Sequence, residues 1–213
     1  MVPERLPLFP LSLVLYPDEP TPLHIFEPRY RKMIARCMLD GTPFGMIYVD
    51  DDDELAEVGC TAMVKRVITR YDDGRLDILV VGGERFKLVD VFKDGELLSA
   101  DVEPYGTGAA DQVAEPAARE RMITQHMKLL ELAGEPIRPA LYQSARFASF
   151  AVAPSAGLDG DQKQALLEMT SEQERVDYLV RHLRRTLRRL EQATRYRKLA
   201  MGDGWMGSPP EVG

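Results

Sequence analysis

Between Pro28 and Gly41 the apolar residues Tyr30, Met33, Ile34, Cys37 and Met38 fall at i, i+3, i+4, i+7 and i+8, one stripe of an amphipathic helix. Both ends agree with that reading. Pro28 suits the first helical position, where its missing N–H costs nothing. Glu27 lies at the positive end of the helix dipole. Gly41 suits the left-handed residue that closes a helix. On either side of this stretch the pattern shortens. "LSLVLYP" from Leu11 and "PLHIF" from Pro22 are apolar runs beside prolines and predict strands. "FGMIYV" predicts another, ended by the acidic run Asp50 to Glu54, which reads as a solvated loop. "GCTAMVKRVITRY" and "RLDILVVGG" flank Asp72-Asp73-Gly74, and "ERFKLVDVF" and "LLSADVEPY" flank Lys93-Asp94-Gly95. Each pair predicts a hairpin. Gly82 and Gly83, between two of these runs, predict a bulge or a barrel corner. Short strands at this spacing, with one early helix, predict a small barrel or a strongly bent sheet.

From Pro116 onward the period is helical. "EPAARERMITQHMKLLELAG" carries Met122, Ile123, His126, Leu129, Leu130 and Ala133 along one face. "YQSARFASFAVAP" predicts a second helix, stopped by Pro154. "DGDQKQALLEM" predicts a third, capped by Asp159 or Asp161. The last and longest starts at a capping box of Ser171 and Glu174. Its residues Val176, Val180, Leu183, Leu187 and Leu190 form a seam for another helix. "GTGAADQVAEP" separates the two regimes and reads as a linker. The expected organisation is a β-rich part over 1–110, a helical part over 111–200 and a disordered tail over 201–213. The fold class is α+β.

Composition changes this picture little, and charge changes it more. The 213 residues are 45% hydrophobic and 29% charged, ordinary values for a globular protein. The net charge of −7 is unevenly placed, with −8 in residues 1–110 and +1 in the rest. Such a balance argues against a nucleic-acid footprint over the whole surface. Cys37 and Cys60 are far apart in sequence and read as buried thiols in a reducing compartment. The apolar opening is broken by Pro7, Pro10 and Pro17 and lacks a basic start with a cleavage site. It reads as neither signal peptide nor membrane span. No membrane insertion is expected, and the expected location is the cytoplasm.

The chain carries few signs of catalytic chemistry. The phosphate loop "GxxxxGK[ST]", "HExxH" and paired "CxxC" are all absent. The three histidines, His24, His126 and His182, are scattered, and His126 reads as a core residue. Ser155 in "APSAG" lacks the "GxSxG" form and its preceding strand. The four adjacent aspartates do not match an EF-hand loop. No cofactor, metal site or catalytic residue is expected. One feature stands out. Arg181, Arg184, Arg185, Arg188, Arg189, Arg195, Arg197 and Lys198 crowd the last helix, with only Glu191 opposing them. This row is a solvated face, a docking surface for an acidic partner, or a contact for nucleic acid or anionic lipid. Arg181, Arg184, Arg185, Arg188 and Arg189 are the candidate partner-binding residues.

"LPLFPLSLVLYPDEPTPLHIFEPRYRKMI", from Leu6 to Ile34, resembles the opening of the amino-terminal domain of Lon-type ATP-dependent proteases. "EVGCTAMVKRVITRYDDGRLDILVVGGERFKLVDV" and "LDGDQKQALLEMTSEQERVDYLVRHLRRTL" resemble that family's later strands and closing helices, in the same order. The resemblance implies a PUA-like pseudo-barrel with an inserted helix, followed by a helical bundle. It also implies a role in recognising substrate proteins, with the ATPase and protease chemistry in other modules. No position here corresponds to a Lon catalytic residue. The expected function is therefore a non-catalytic interaction module. It would bind exposed or unfolded segments of other proteins, as an adaptor in proteolysis or quality control. The alternative is an RNA-binding PUA-like module that uses the arginine-rich helix.

Overall fold

The computed structural model describes residues 5–106, 113–144 and 147–202. It is an α+β fold with six strands and six α-helices among those residues. The strands are β1 (Arg5–Leu11), β2 (Pro20–Ile25), β3 (Phe44–Tyr48), β4 (Val58–Arg70), β5 (Leu76–Asp94) and β6 (Leu97–Pro104). The helices are α1 (Pro28–Asp40), α2 (Pro116–Ala133), α3 (Pro139–Ser144), α4 (Ala148–Val152), α5 (Gly160–Glu168) and α6 (Glu172–Gly202). Most of the central linker (107–112) and the tail from 203 onward lie outside the described residues. No described helix is long and apolar enough to cross a membrane.

The sheet closes on itself. β1 pairs with β3 in parallel and with β6 antiparallel. β3 pairs with β4, β4 with the first part of β5, and β6 with its last part. The five strands thus form a ring, and β2 lies outside it on the start of β5. Closure leaves β2 as the edge. Pro20 and Pro22 stand on it, a residue type that blunts strand edges because it has no N–H to offer.

Helix α1 forms as its pattern predicts, from Pro28 to a left-handed Gly41 (φ 64°). Tyr30, Met33, Ile34 and Cys37 are buried against the sheet. Met38 is not: it is 37% exposed, because the stripe turns away from the sheet in the last turn. Ile34→Val is therefore expected to cost about 1 kcal/mol. Met38→Ala should leave the denaturation midpoint unchanged, and urea melts of the two variants check both.

Three expectations shift. The first strand is Arg5–Leu11, not "LSLVLYP". Pro7 and Pro10 sit inside it, opposite Ser99 and Ile47. Val14, Leu15 and Tyr16 are buried by side-chain packing in the segment that follows, without a ladder. Second, "RLDILVVGG" and "ERFKLVDVF" are one 19-residue strand, β5, and the register with β4 slips between Cys60/Arg85 and Ala62/Gly82. The paired glycines let a long strand bend without ending. Third, "YQSARFASFAVAP" is not one helix. Phe147 is extended (φ −123°, ψ 119°) and separates α3 from α4. Helix α4 then runs into a single 3₁₀ turn, Ala153–Ser155.

The helices pack on the ring through one shared core, which includes Val14, Tyr16 and Val58 from the strand region. Polar ties fix the same joint. The Arg85 guanidinium, 4% exposed, reaches across from β5. It donates to the carbonyls of Leu167 and Met169, both at 2.7 Å. Tyr105 Oη donates to Glu168 O at 2.7 Å, and Tyr16 Oη to Lys163 O at 2.9 Å. A cation and two phenols thus bond carbonyls of α5 and of Met169 just after it, and those of Leu167 and Glu168 are among the ones that a helix end leaves unpaired. Helices α2 and α6 lie side by side and run in the same direction, with Glu115 tied to Gln173 and Lys128 to Glu191. Asp159 caps α5 in a complete box with Gln162. The Ser171–Glu174 box is half formed, one bond at 3.5 Å.

Candidate functional site

The joint between ring and helices contains a cleft of about 300 Å³. One wall is the loop into β2, Pro17 to Pro20. The facing walls are Arg138 and Leu141 at the start of α3, Phe150 and Ala151 on α4, and Pro154 and Ser155 on the 3₁₀ turn. The floor is apolar. Phe150 is 2% exposed and stacks on Tyr16, with centroids 5.3 Å apart. Leu141, 38% exposed, offers a free apolar edge. Charge is confined to Asp18 and Glu19 on one side and Arg138 on the other. A wider and more open depression lies near Phe9, Tyr30 and Leu98.

The loop wall is held tightly. Asp18 N–H donates to Gly82 O at 2.9 Å, and Gly82 N–H to Glu19 O at 3.0 Å. Tyr16 N–H donates to Glu19 Oε2 at 2.9 Å. Burial pushes the Glu19 carboxyl above its ordinary range, and the Tyr16 N–H and the nearby Lys163 charge pull it partly back. Asp18 takes a left-handed backbone (φ 63°), which aspartate tolerates better than most residues.

Ser155, at the cleft's rim, has an unexpected neighbour. Its Oγ lies 2.9 Å from His126 Nε2, and His126 Nδ1 lies 2.9 Å from Tyr142 Oη. Local sequence offers Ser155 no partner, because His126 is 29 residues away on another helix. A serine and histidine in contact raise the question of nucleophilic catalysis. The surroundings weigh against it. His126 is 0% exposed, and burial holds its pKa below the ordinary value. A tyrosine hydroxyl occupies the place where a carboxylate would stabilise an imidazolium. The chain of two bonds ties α2, α3 and the 3₁₀ turn together and so shapes the cleft.

The arginines singled out in the sequence do not line this cleft. Arg181, Arg184, Arg185, Arg188 and Arg189 all lie exposed on α6, opposite its buried residues Val176, Leu179, Leu183 and Leu187. The side chains of Arg197 and Lys198 lie outside the described residues. His24 is also away from the cleft. Its Nδ1 pairs with Asp77 Oδ1 at 2.6 Å across the β2–β5 ladder. Asp50 Oδ1 accepts the Asp52 and Glu54 amides, so the acidic run folds into a turn on its own first residue. Among the described residues no group of acids, histidines and cysteines is placed to hold a metal. Cys37 and Cys60 are free, buried thiols, and burial pushes both upward in pKa.

Known proteins share this arrangement. Residues 5–185 match the family model described as the ATP-dependent protease La (LON) substrate-binding domain. Lon protease 2 of Syntrophobacter fumaroxidans is 25% identical over 208 residues. The Lon protease of Dictyoglomus thermophilum is 23% identical over 207 residues. Each match takes in 91% of this chain but 26% of the relative, so the chain spans about a quarter of their length. Among solved structures, a Lon N-terminal domain protein from Xanthomonas campestris has the same fold, with a TM-score of 0.66 at 24% identity. That likeness covers 83% of this chain and 96% of the other. The N-terminal domain of the Mycobacterium avium complex Lon protease gives a TM-score of 0.56 at 18% identity, over 84% and 97%.

Proposed function

The chain belongs to the family of Lon-protease substrate-binding domains, and on that premise we propose that it binds exposed or unfolded segments of other proteins in the cleft between strand ring and helices. One observation carries the reading most directly: an apolar hollow at that joint, floored by Phe150 and edged by Leu141, opens to solvent with few charges around it. Ligand sites are concave, mostly apolar and edged by few polar groups. We read the ring as a PUA-like pseudo-barrel and the helices after the linker as a C-terminal bundle, the two parts divided near residue 110. Closure through β5 and β6 and the side-by-side run of α2 and α6 support that reading. On the same reading the molecule works without catalysis in the cytoplasm, as an adaptor that delivers segments to a proteolytic or quality-control machine.

The test uses a permanently unfolded probe, reduced and carboxymethylated α-lactalbumin, followed by fluorescence anisotropy. Two variants block the cleft in different ways: Ala151→Trp fills it, and Leu141→Asp places a charge on its apolar edge. Each is expected to weaken binding at least tenfold, about 1.4 kcal/mol. The wild-type affinity should change little with salt, because apolar contact is not screened. Binding that survives both substitutions unchanged would exclude the cleft. A wild-type protein that ignores the probe would exclude the function.

A further inference from the structure

Helix α6 outruns its supports. Residues 188–196 are all exposed, beyond the last deeply buried seam residue, Leu187. At 3.6 residues per turn, Arg181, Arg184, Arg185, Arg188, Arg189 and Arg195 fall within an arc of about 140° on the side away from the seam. They extend over about 21 Å of helix. None of the six makes an ion pair among the described residues. The one acid in this stretch, Glu191, is taken by Lys128 of α2. Six unpaired like charges on one rigid face repel each other, so the face gains from an anion that spans it. All six are arginines, whose planar fork binds carboxylates two bonds at a time.

We propose that this arginine face docks a short acidic segment of a partner protein, with carboxylates three to four residues apart on one side of a helix. The guanidinium groups repeat at the same three- and four-residue intervals, so two such helices match charge to charge. The neighbouring charge favours a short peptide over a polyphosphate chain. The row ends at its amino-terminal side against Glu174 and Asp177 on the same helix, and Asp159 approaches Tyr178 there. The row itself spans about four helical turns. A nucleic-acid strand running past that end would meet carboxylates, on a molecule whose net charge is −7. The site is independent of the cleft and of the family reading.

The experiment compares three labelled probes by anisotropy: an acetylated, amidated helical peptide with paired glutamates at i, i+3 and i+4, the same peptide with glutamine in their place, and a short single-stranded RNA. The variant combines Arg184→Gln, Arg185→Gln, Arg188→Gln and Arg189→Gln. All four positions are solvent-exposed, and an unchanged thermal melt confirms that the fold is kept. The glutamate peptide is expected to bind the wild type, to weaken as salt rises to about 150 mM, and to lose at least tenfold in the variant. Arg188→Glu alone should produce a smaller step in the same direction. The glutamine peptide should not bind. Binding of the unfolded probe by the four-fold variant should equal that of the wild type, which separates this face from the cleft. RNA that binds more tightly than the glutamate peptide, or a glutamate peptide that fails to bind or binds the variant equally well, would overturn the proposal.

Discussion

Glu172→Ala is expected to destabilise the protein by about 3–5 kcal/mol, the cost of leaving a buried charge without its partner. The partner is Arg175, 0% exposed beneath the first turn of α6. Its Nε donates to Glu172 Oε2 and to Ser149 Oγ, both at 3.0 Å, and its Nη1 donates to Met169 O at 2.8 Å. The guanidinium also lies over the rings of Phe150 and Phe147, 4.4 and 5.0 Å from their centroids. Glu172 in turn accepts the Ser149 amide at 3.1 Å, which ties α6 to the start of α4. Remove the carboxylate and the guanidinium stays in a dry site among aromatic rings, with its charge uncompensated. The double substitution Glu172→Leu with Arg175→Met removes both charges and keeps most of the volume. It should lose far less than Glu172→Ala, because a buried pair contributes little net stability once its desolvation is counted. Urea melts followed by circular dichroism check both. A single variant within about 1 kcal/mol of wild type would show that water reaches the pair.

That cluster was invisible in the sequence, and the reason is specific. Glu172 and Arg175 stand three residues apart at a helix start, the spacing of an ordinary surface pair. Nothing near them says that Phe147 and Phe150 will cover the site. Helix α1, by contrast, was legible to the residue: Pro28 and Gly41 mark its ends by local chemistry, and its stripe needs only one sheet face to pack on. The capped start of α5 was legible for the same reason. The continuity of β5 was only half legible: Gly82 and Gly83 mark a bulge or a corner, which the register slip at Gly82 bears out, but not that one strand runs through it. Only the approach of the Tyr16 carbonyl shows why a glycine stands there. The cleft was least legible of all. "PDEP" looks like a turn, and the residues that face it lie more than a hundred positions away on helices whose boundary was itself misplaced. The arginine row was plain in the sequence, since charge needs no partner to be counted. Its outward orientation came with the seam.

Gly82→Ala is expected to weaken both the fold and the proposed binding. A β-carbon on Gly82 would stand 1.9 Å from Tyr16 O and 2.9 Å from Tyr16 C, backbone atoms that cannot rotate aside. The loop from Tyr16 to Glu19 would have to retreat by about an ångström or more, since ordinary packing tolerates no such overlap. Retreat breaks the two backbone bonds between Gly82 and the loop, at 2.9 and 3.0 Å. It also pulls on Tyr16, 0% exposed, whose hydroxyl is bonded to Lys163 O and whose ring stacks on Phe150. Overpacking and two lost bonds together come to about 3 kcal/mol. Gly95→Ala is the matched control. Its left-handed backbone (φ 62°) makes a side chain there strained too, at about 1 kcal/mol, but nothing lies within 4 Å of the new carbon. The consequence for function follows from the same geometry, because the loop that moves is the cleft wall carrying Pro17, Asp18 and Glu19. At a temperature where both variants are folded, Gly82→Ala should bind the unfolded probe at least tenfold more weakly than wild type, while Gly95→Ala should bind it as wild type does. Equal affinity in all three proteins would mean that the loop wall takes no part in binding.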